Sequence, residues 1–288
     1  DVDWIALSFV KKAADIHDLK KAIKRYKPSS KVKIMAKIET PESLKNIKSI
    51  IEETDGIMVA RGDLGVEIQI EKVPIVQKDL ILQCIAAGKP VVVATQMLES
   101  MVKNPKPTRA EVSDVANAVI DHADAVMLSE ETAFGKYPIE SVKMMTKIIN
   151  TTEASPYDDV LELDSTDKLK TLLAISESAK ELVLNTKARL IVVATNSGYS
   201  ARMVSKFRPR TPIIALVNDD NVKRQLSMSW GVYSFDMPKC RTIEDLMSKI
   251  MKFIKTQKLA RKGDLAVIVT GQPVGLKENM NLVELQKI

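Results

Sequence analysis

Cysteine is nearly missing from this chain. Of its 288 residues only Cys84 and Cys240 are cysteines, far apart and without a CxxC pair, so neither a disulfide framework nor a thiolate zinc site is expected and a reducing, cytoplasmic compartment fits. Aromatic residues amount to 4%, too few for base-stacking platforms, and no nucleic-acid partner is expected. Long hydrophobic runs are lacking as well: nothing approaches the ~18 to 20 uninterrupted apolar residues of a membrane span. The opening DVDWIALSFVKK does not have the basic-then-apolar order of a signal peptide. No membrane partner and no export are therefore expected. Neither sign of charge dominates, since 43 basic against 37 acidic residues leave +6. The lysines sit at helical spacing among acids, as in KKAADIHDLKKAIKRYK, so the excess suits an anionic substrate without selecting one.

What the chain does have is material for a core, with 45% hydrophobic and 28% charged residues. Its length exceeds the ~150 residues of an ordinary domain and favours two. Short β-rich runs alternate with longer helical patterns, the signature of βα units around a parallel sheet. Five runs fall in the first half: Trp4–Val10, Val32–Glu39, Gly56–Ala60, Pro90–Ala94 and Asp124–Leu128. Helices are expected over Lys11–Tyr26, Pro41–Glu53 with Thr40 as cap, Val73–Ala87 and Thr108–Ile120. The polar stretch Asn150–Ser165 reads as a junction, dividing the chain into 1–152 and 153–288. A second α/β set follows, with a helix near Asp167–Asn185 and strands at Leu190–Thr195, Ile213–Val217, Val232–Phe235 and Leu265–Thr270.

In parallel α/β domains functional side chains gather at the carboxyl ends of the strands. Here the second strand ends in Lys37 and Glu39, placed on one face by the two-residue period. The third runs into Arg61-Gly62-Asp63-Leu64-Gly65, the fourth ends at Thr95 and the fifth at Ser129, Glu130 and Glu131. Charge on so many neighbouring strand ends requires partners, which a solvated barrel mouth with Lys37 paired to Glu39 or Asp63 would supply. For four strands together a metal site is the better account: two carboxylates suit Mg²⁺, which keeps water and substrate oxygens in its other positions. Metal plus lysine then meets the charge of an enolate or a transferring phosphoryl group.

At these residues the sequence closely resembles the pyruvate kinase family. The likeness rests on Ile34–Glu39 (IMAKIE), Gly56–Glu67 (GIMVARGDLGVE), Ala94–Met101 (ATQMLESM), Pro107–Val119 (PTRAEVSDVANAV) and Met127–Pro138 (MLSEETAFGKYP). It implies five of the eight βα units of a TIM-type barrel, followed by a smaller α/β domain with a mainly parallel sheet. The first three strands and the inserted lid domain have no counterpart in this chain, so the chain alone is expected to turn over negligibly. The resemblance further implies Glu39 and Asp63 as ligands of Mg²⁺ or Mn²⁺. Lys37 would stabilise the phosphoryl group and enolate, backbone amides at Gly62 and Asp63 would hold the substrate carboxylate, and Thr95, Ser129 and Glu131 would serve protonation. The reaction implied is phosphate transfer from phosphoenolpyruvate to ADP, giving pyruvate and ATP. K⁺ is implied too, though its ligands are not among these residues, and so is a homotetramer.

Two other readings stay open: a metal-dependent lyase or aldolase that forms an enolate, and a non-catalytic fragment binding a phosphorylated metabolite or partner subunits. In the second half Thr195, Asn196, Ser197, Gly198 and Ser200 lie between a strand and a helix. They resemble the family's sugar-phosphate effector pocket, against the alternative of an ordinary helix cap. The closing segment Gly271–Asn281 lacks the glycine- and threonine-rich pattern often found at that pocket. Two positions depart from the family, which often has glycine where His122 and Glu130 stand. His122 is expected on the surface at the end away from the rim, and Glu130 facing solvent.

Overall fold

A computed structural model describes residues 2–157, 170–273 and 279–288. The last eight residues of the expected junction, the first three of the expected helix at Asp167 and the middle of Gly271–Asn281 lie outside them. The chain divides into two compact units, Asp1–Val160 and Leu161–Ile288.

The first unit runs β1 Trp4–Leu7, α1 Ala13–Tyr26, β2 Lys33–Ile38, α2 Pro41–Lys45, α3 Ile47–Glu53, β3 Gly56–Ala60, α4 Arg61–Glu67, α5 Val73–Ala87, β4 Val91–Ala94, α6 Arg109–Ile120, β5 Ala125–Met127, α7 Glu130–Ala133 and α8 Pro138–Glu153. Its five strands pair in parallel in the order β1-β2-β3-β4-β5. This is the singly wound order of a barrel arc, without the reversal of a doubly wound sheet. All residues of β3 and β4 are buried, as strands covered on both faces must be, and both read as apolar runs.

Local chemistry sets the helix ends. Pro41 occupies the first position of α2, and Thr40 Oγ1 accepts from Ser43 N–H at 3.2 Å. The expected single helix over Pro41–Glu53 is broken at Asn46, whose side-chain amide donates to the Lys11 carbonyl at 2.9 Å. Helix α5 stops where Gly88 takes φ +64°. Helix α6 ends in the same hand without a glycine. His122 N–H donates to Val119 O at 2.8 Å and Ala123 N–H to Ala118 O at 3.2 Å, with His122 at φ +63°. That pairing demands a left-handed residue just past the helix, which is why glycine suits the position. Contrary to the expectation of a surface residue, His122 is 2% exposed, held in a left-handed turn whose backbone bonds back onto the last turn of α6 rather than leading out to solvent.

The second unit runs α9 Lys170–Thr186, β6 Leu190–Ala194, α10 Tyr199–Lys206, β7 Ile213–Val217, α11 Asp220–Gln225, β8 Val232–Asp236, α12 Ile243–Thr256, β9 Leu265–Thr270 and β10 Leu282–Lys287. Its sheet has the order β10-β9-β6-β7-β8 and is parallel except for β10, which closes one edge antiparallel to β9. The two-residue period divides the core. Ile191, Val193, Ile213, Ala215, Val267 and Val269 face α9 and α10, while Leu190, Val192, Ile214, Leu216 and Ile268 face α12. Helix α12 answers with Leu246, Ile250 and Ile254, one turn apart on one stripe.

Candidate functional site

The carboxyl ends of β2 to β5 carry the residues predicted for the first unit. At the end of β2, Lys37 Nζ and Glu39 Oε1 form an ion pair at 2.6 Å, the same-face placement that the strand period requires. Glu39 is fully buried, and its other oxygen accepts from Phe9 N–H at 2.5 Å. Phe9 sits at φ +53°, so the turn after β1 is bent to aim its amide at this carboxylate. Lys37 Nζ also donates to Ser8 Oγ at 3.0 Å. Ser8 and the Phe9 amide thus join the site. Sequence reading passed over them because an apolar strand end and a backbone N–H leave no motif.

Asp63 lies in the first turn of α4 and is exposed. The preceding Gly62 N–H donates to Thr95 Oγ1 at 2.7 Å, and a Cβ at Gly62 would stand 3.3 Å from that oxygen. The Thr95 hydroxyl in turn donates to Ala94 O at 2.6 Å. Gly62 and Thr95 are therefore brought together directly, with the glycine amide engaged by the threonine. Thr95 and Gln96 both have positive φ, +70° and +55°, an uncommon conformation for two successive non-glycine residues and a costly one for a β-branched side chain.

Arg61, buried beneath this turn, donates through Nη2 to Thr95 O at 2.9 Å and through Nη1 to Asp114 Oδ1 at 2.6 Å. Its charge and spacing in RGDLG were legible, but its inward direction was not.

At the fifth strand, the expected strand end at Ser129 and Glu131 turns at once into α7. Glu131 is 2% exposed and braces two loops, Oε1 accepting from Leu98 N–H at 2.9 Å and Oε2 from Ser129 N–H at 2.8 Å. The Ser129 hydroxyl oxygen is buried without a hydrogen-bond partner among the described residues. Glu130 is exposed, as expected, and borders a cleft of about 380 Å³ with Glu99, Lys103 and Glu111. Glu111 anchors the loop above it, accepting from Ser100 N–H and Oγ–H at 2.7 and 2.6 Å and from Thr108 N–H at 2.7 Å. Burial pushes the Glu111 carboxyl up, and the hydrogen bonds from Ser100 and Thr108 outweigh it, holding the group below its ordinary 4.5.

In the second unit, Thr195 Oγ1 accepts from Gly198 N–H at 3.1 Å and Ser197 Oγ from Tyr199 N–H at 3.4 Å. Gly198, at φ +75°, opens α10, and a Cβ there would press on Leu226 at 3.0 Å. Thr195, Ser197 and Gly198 thus form one hydrogen-bonded turn, with Ser200 in the first turn of the helix.

Among the described residues no cluster of three or more acidic, histidine or cysteine side chains could hold a metal by itself, and no helix is long and apolar enough to cross a membrane. Glu39 and Asp63 offer carboxylate oxygens only, a hard donor set that fits Mg²⁺ or Mn²⁺ and leaves positions for water and substrate oxygens.

Comparison with known proteins agrees in both halves. Residues 1–142 match the family model described as pyruvate kinase, barrel domain, and residues 173–286 the one described as pyruvate kinase, alpha/beta domain. A pyruvate kinase of Geobacillus stearothermophilus is 44% identical over 289 residues, covering 100% of this chain and 49% of that protein. One of Clostridium acetobutylicum is 42% identical over 290 residues, covering 100% of this chain and 61% of the relative. The crystal structure of a pyruvate kinase from Cryptosporidium parvum superposes with a TM-score of 0.88 at 38% identity, covering 100% of this chain and 59% of that one. The chain thus spans about half the length of the first of these relatives, 49%.

Proposed function

This chain belongs to the pyruvate kinase family, and from that premise we propose that its first unit carries the phosphoenolpyruvate side of a site that transfers phosphate to ADP, giving pyruvate and ATP. The observation that supports the reading is the placement of the Lys37–Glu39 pair, Asp63 and the Gly62–Thr95 turn at the ends of the adjacent parallel strands β2, β3 and β4. In this reading Glu39 and Asp63 hold Mg²⁺ or Mn²⁺. When bound, the metal supplies a fixed positive charge toward substrate oxygens.

The chain's own residues do the rest. Lys37, already held by Glu39 and Ser8, presents its ammonium to the negative charge on the transferring phosphoryl group and on the enolate. Amides at the start of α4 take the substrate carboxylate, with Asp63 N–H as the donor that Thr95 leaves available. Thr95 stands beside the substrate, and Ser129 and Glu131 belong to the hydrogen-bonded network on the protonation side. Residues 1–152 act as the catalytic part and 153–288 as a regulatory and assembly part. There the Thr195–Ser200 turn, with Asn196, is the candidate seat for an effector phosphate. A soluble cytoplasmic homotetramer using K⁺ is the setting that the family suggests.

The test is metal and substrate binding by the chain, and turnover by a pyruvate kinase with a complete barrel that carries these residues. Asp63→Ala weakens Mn²⁺ binding, read by water-proton relaxation, by about tenfold or more. Lys37→Met lowers turnover by about 100-fold or more while leaving Mn²⁺ bound. Full activity in either variant sinks the assignment.

A further inference from the structure

We infer that Arg61 is a positioning residue for Thr95: its guanidinium holds the left-handed Thr95–Gln96 turn in the one conformation that lays the Thr95 hydroxyl against the Gly62 amide. The inference rests on the reading of Thr95 as a residue beside the substrate.

Two successive non-glycine residues at φ +70° and +55°, one of them β-branched, do not keep that shape by local preference. Such a turn persists only where its surroundings over-determine it. The surroundings are on three sides. Arg61 Nη2 donates to the Thr95 carbonyl at 2.9 Å, Gly62 N–H to the Thr95 hydroxyl at 2.7 Å, and Leu98 N–H, two residues past Gln96, to Glu131 at 2.9 Å. Of these only Arg61 grips the carbonyl of the strained residue itself.

The guanidinium is fixed from its far side. Nη1 is ion-paired with Asp114 on α6 at 2.6 Å and also reaches Gln77 on α5 at 3.4 Å. Gln77 is anchored in turn, its amide donating to Asp121 at 3.1 Å. A planar fork serves both sides at once, holding the turn with one nitrogen and the helices with the other. A lysine ammonium, a single point of charge, does not. Because Arg61 and Gly62 are adjacent, the same short segment supplies the grip on the Thr95 carbonyl and the donor to its hydroxyl.

The test uses Arg61→Lys in the 288-residue chain, read by the Thr95 ¹³Cβ shift, which follows φ and ψ, and by amide hydrogen exchange. The expected result is a Thr95 shift that leaves the left-handed range, with exchange at Gly62 and Leu98 about tenfold faster. Val59 and Val93, in the strands on either side, keep their protection. Adding Gln96→Gly, which accepts positive φ without cost, returns the Thr95 shift toward that of the parent. Unchanged Thr95 and Gly62 signals in Arg61→Lys overturn the inference, and so does an equal rise of exchange at Val59 and Val93, which would make Arg61 a general support of the core. If Arg61→Lys does not fold, Asp114→Asn loosens the same guanidinium from behind and gives the same pattern at about threefold, and no change at Gly62 there overturns it equally. No substrate enters these readings, so a chain that fails to bind phosphoenolpyruvate with Mg²⁺ counts against the proposed function and leaves this inference to be judged by the shifts and exchange alone.

Discussion

Replacing Glu111 by glutamine isolates what one carboxylate does for the loop that carries Thr95. Glu111 Oε2 accepts from Ser100 Oγ at 2.6 Å and from Thr108 N and Oγ1 at 2.7 and 2.9 Å, while Oε1 accepts from Ser100 N at 2.7 Å. Thr108 closes the capping box of α6 by accepting from Glu111 N–H at 3.2 Å. Hydrogen bonds to an ionised group contribute about 1.5–3 kcal/mol each when dry. This carboxylate is half-buried, so water screens part of that, and glutamine keeps one acceptor oxygen. Glu111→Gln therefore costs about 1–2 kcal/mol at pH 7, against about 2–3 kcal/mol for Glu111→Ala.

The pH dependence follows from the direction of the shift. The carboxyl is lowered on folding, so its contribution is complete above the unfolded value near 4.5 and fades as pH falls through the folded one. The gap between parent and Glu111→Gln is accordingly constant from pH 7 to about 5.5 and closes as the pH drops through the lowered folded value. The chain has two tryptophans, Trp4 in the first unit and Trp230 in the second, so a Trp230→Phe background lets Trp4 fluorescence follow urea unfolding of the first unit by itself. A gap that is the same at acid and neutral pH, or absent at pH 7, would refute the reasoning.

Three further outcomes are expected. Gly135→Ala puts a Cβ 2.5 Å from the Glu131 carbonyl oxygen, so the variant loses about 1–3 kcal/mol, seen as a lower urea midpoint by the same fluorescence. Glu131→Ala strands the buried N–H groups of Leu98 and Ser129 and costs about 2–5 kcal/mol, whereas Glu131→Gln keeps one acceptor and costs less. Equal losses in the two would count against the brace. Lys89 donates to the carbonyls of Ile51, Glu52 and Thr54 at the end of α3. Lys89→Met, similar in length, should cost about 1–2 kcal/mol and speed amide exchange in that helix, and unchanged exchange would rule the cap out.

How far the sequence could be read depended on the kind of signal. β3, α5, β7 and β9 were expected with the bounds they have, because apolar runs or stripes ended at glycine, proline or polar residues there. β10 was missed: LVELQK alternates only partly, and an antiparallel edge strand gains its order from β9 rather than from its own pattern. α4 and α7 went unseen for a related reason. Both start directly at a strand end, with no polar loop to announce them. His122 was misplaced because a lone histidine before a strand resembles surface, whereas burial there is decided by a helix ending that glycine usually makes.

By itself the sequence determined which residues stand at the strand ends: Lys37 and Glu39 by period, Gly62 and Asp63 by motif, and Thr95, Ser129 and Glu131 by position. Those are short-range facts, carried by spacing along one strand or turn. Only the tertiary structure decided what meets what. The Phe9 amide on Glu39, the Arg61 fork between Thr95 and Asp114, the Gly62 N–H on the Thr95 hydroxyl and the Glu131 brace on Leu98 each join residues about 30 to 50 positions apart. Sequence pattern does not encode such pairings, because they depend on which way a backbone turns and which buried donor lacks another partner, and both are settled when strands and helices pack.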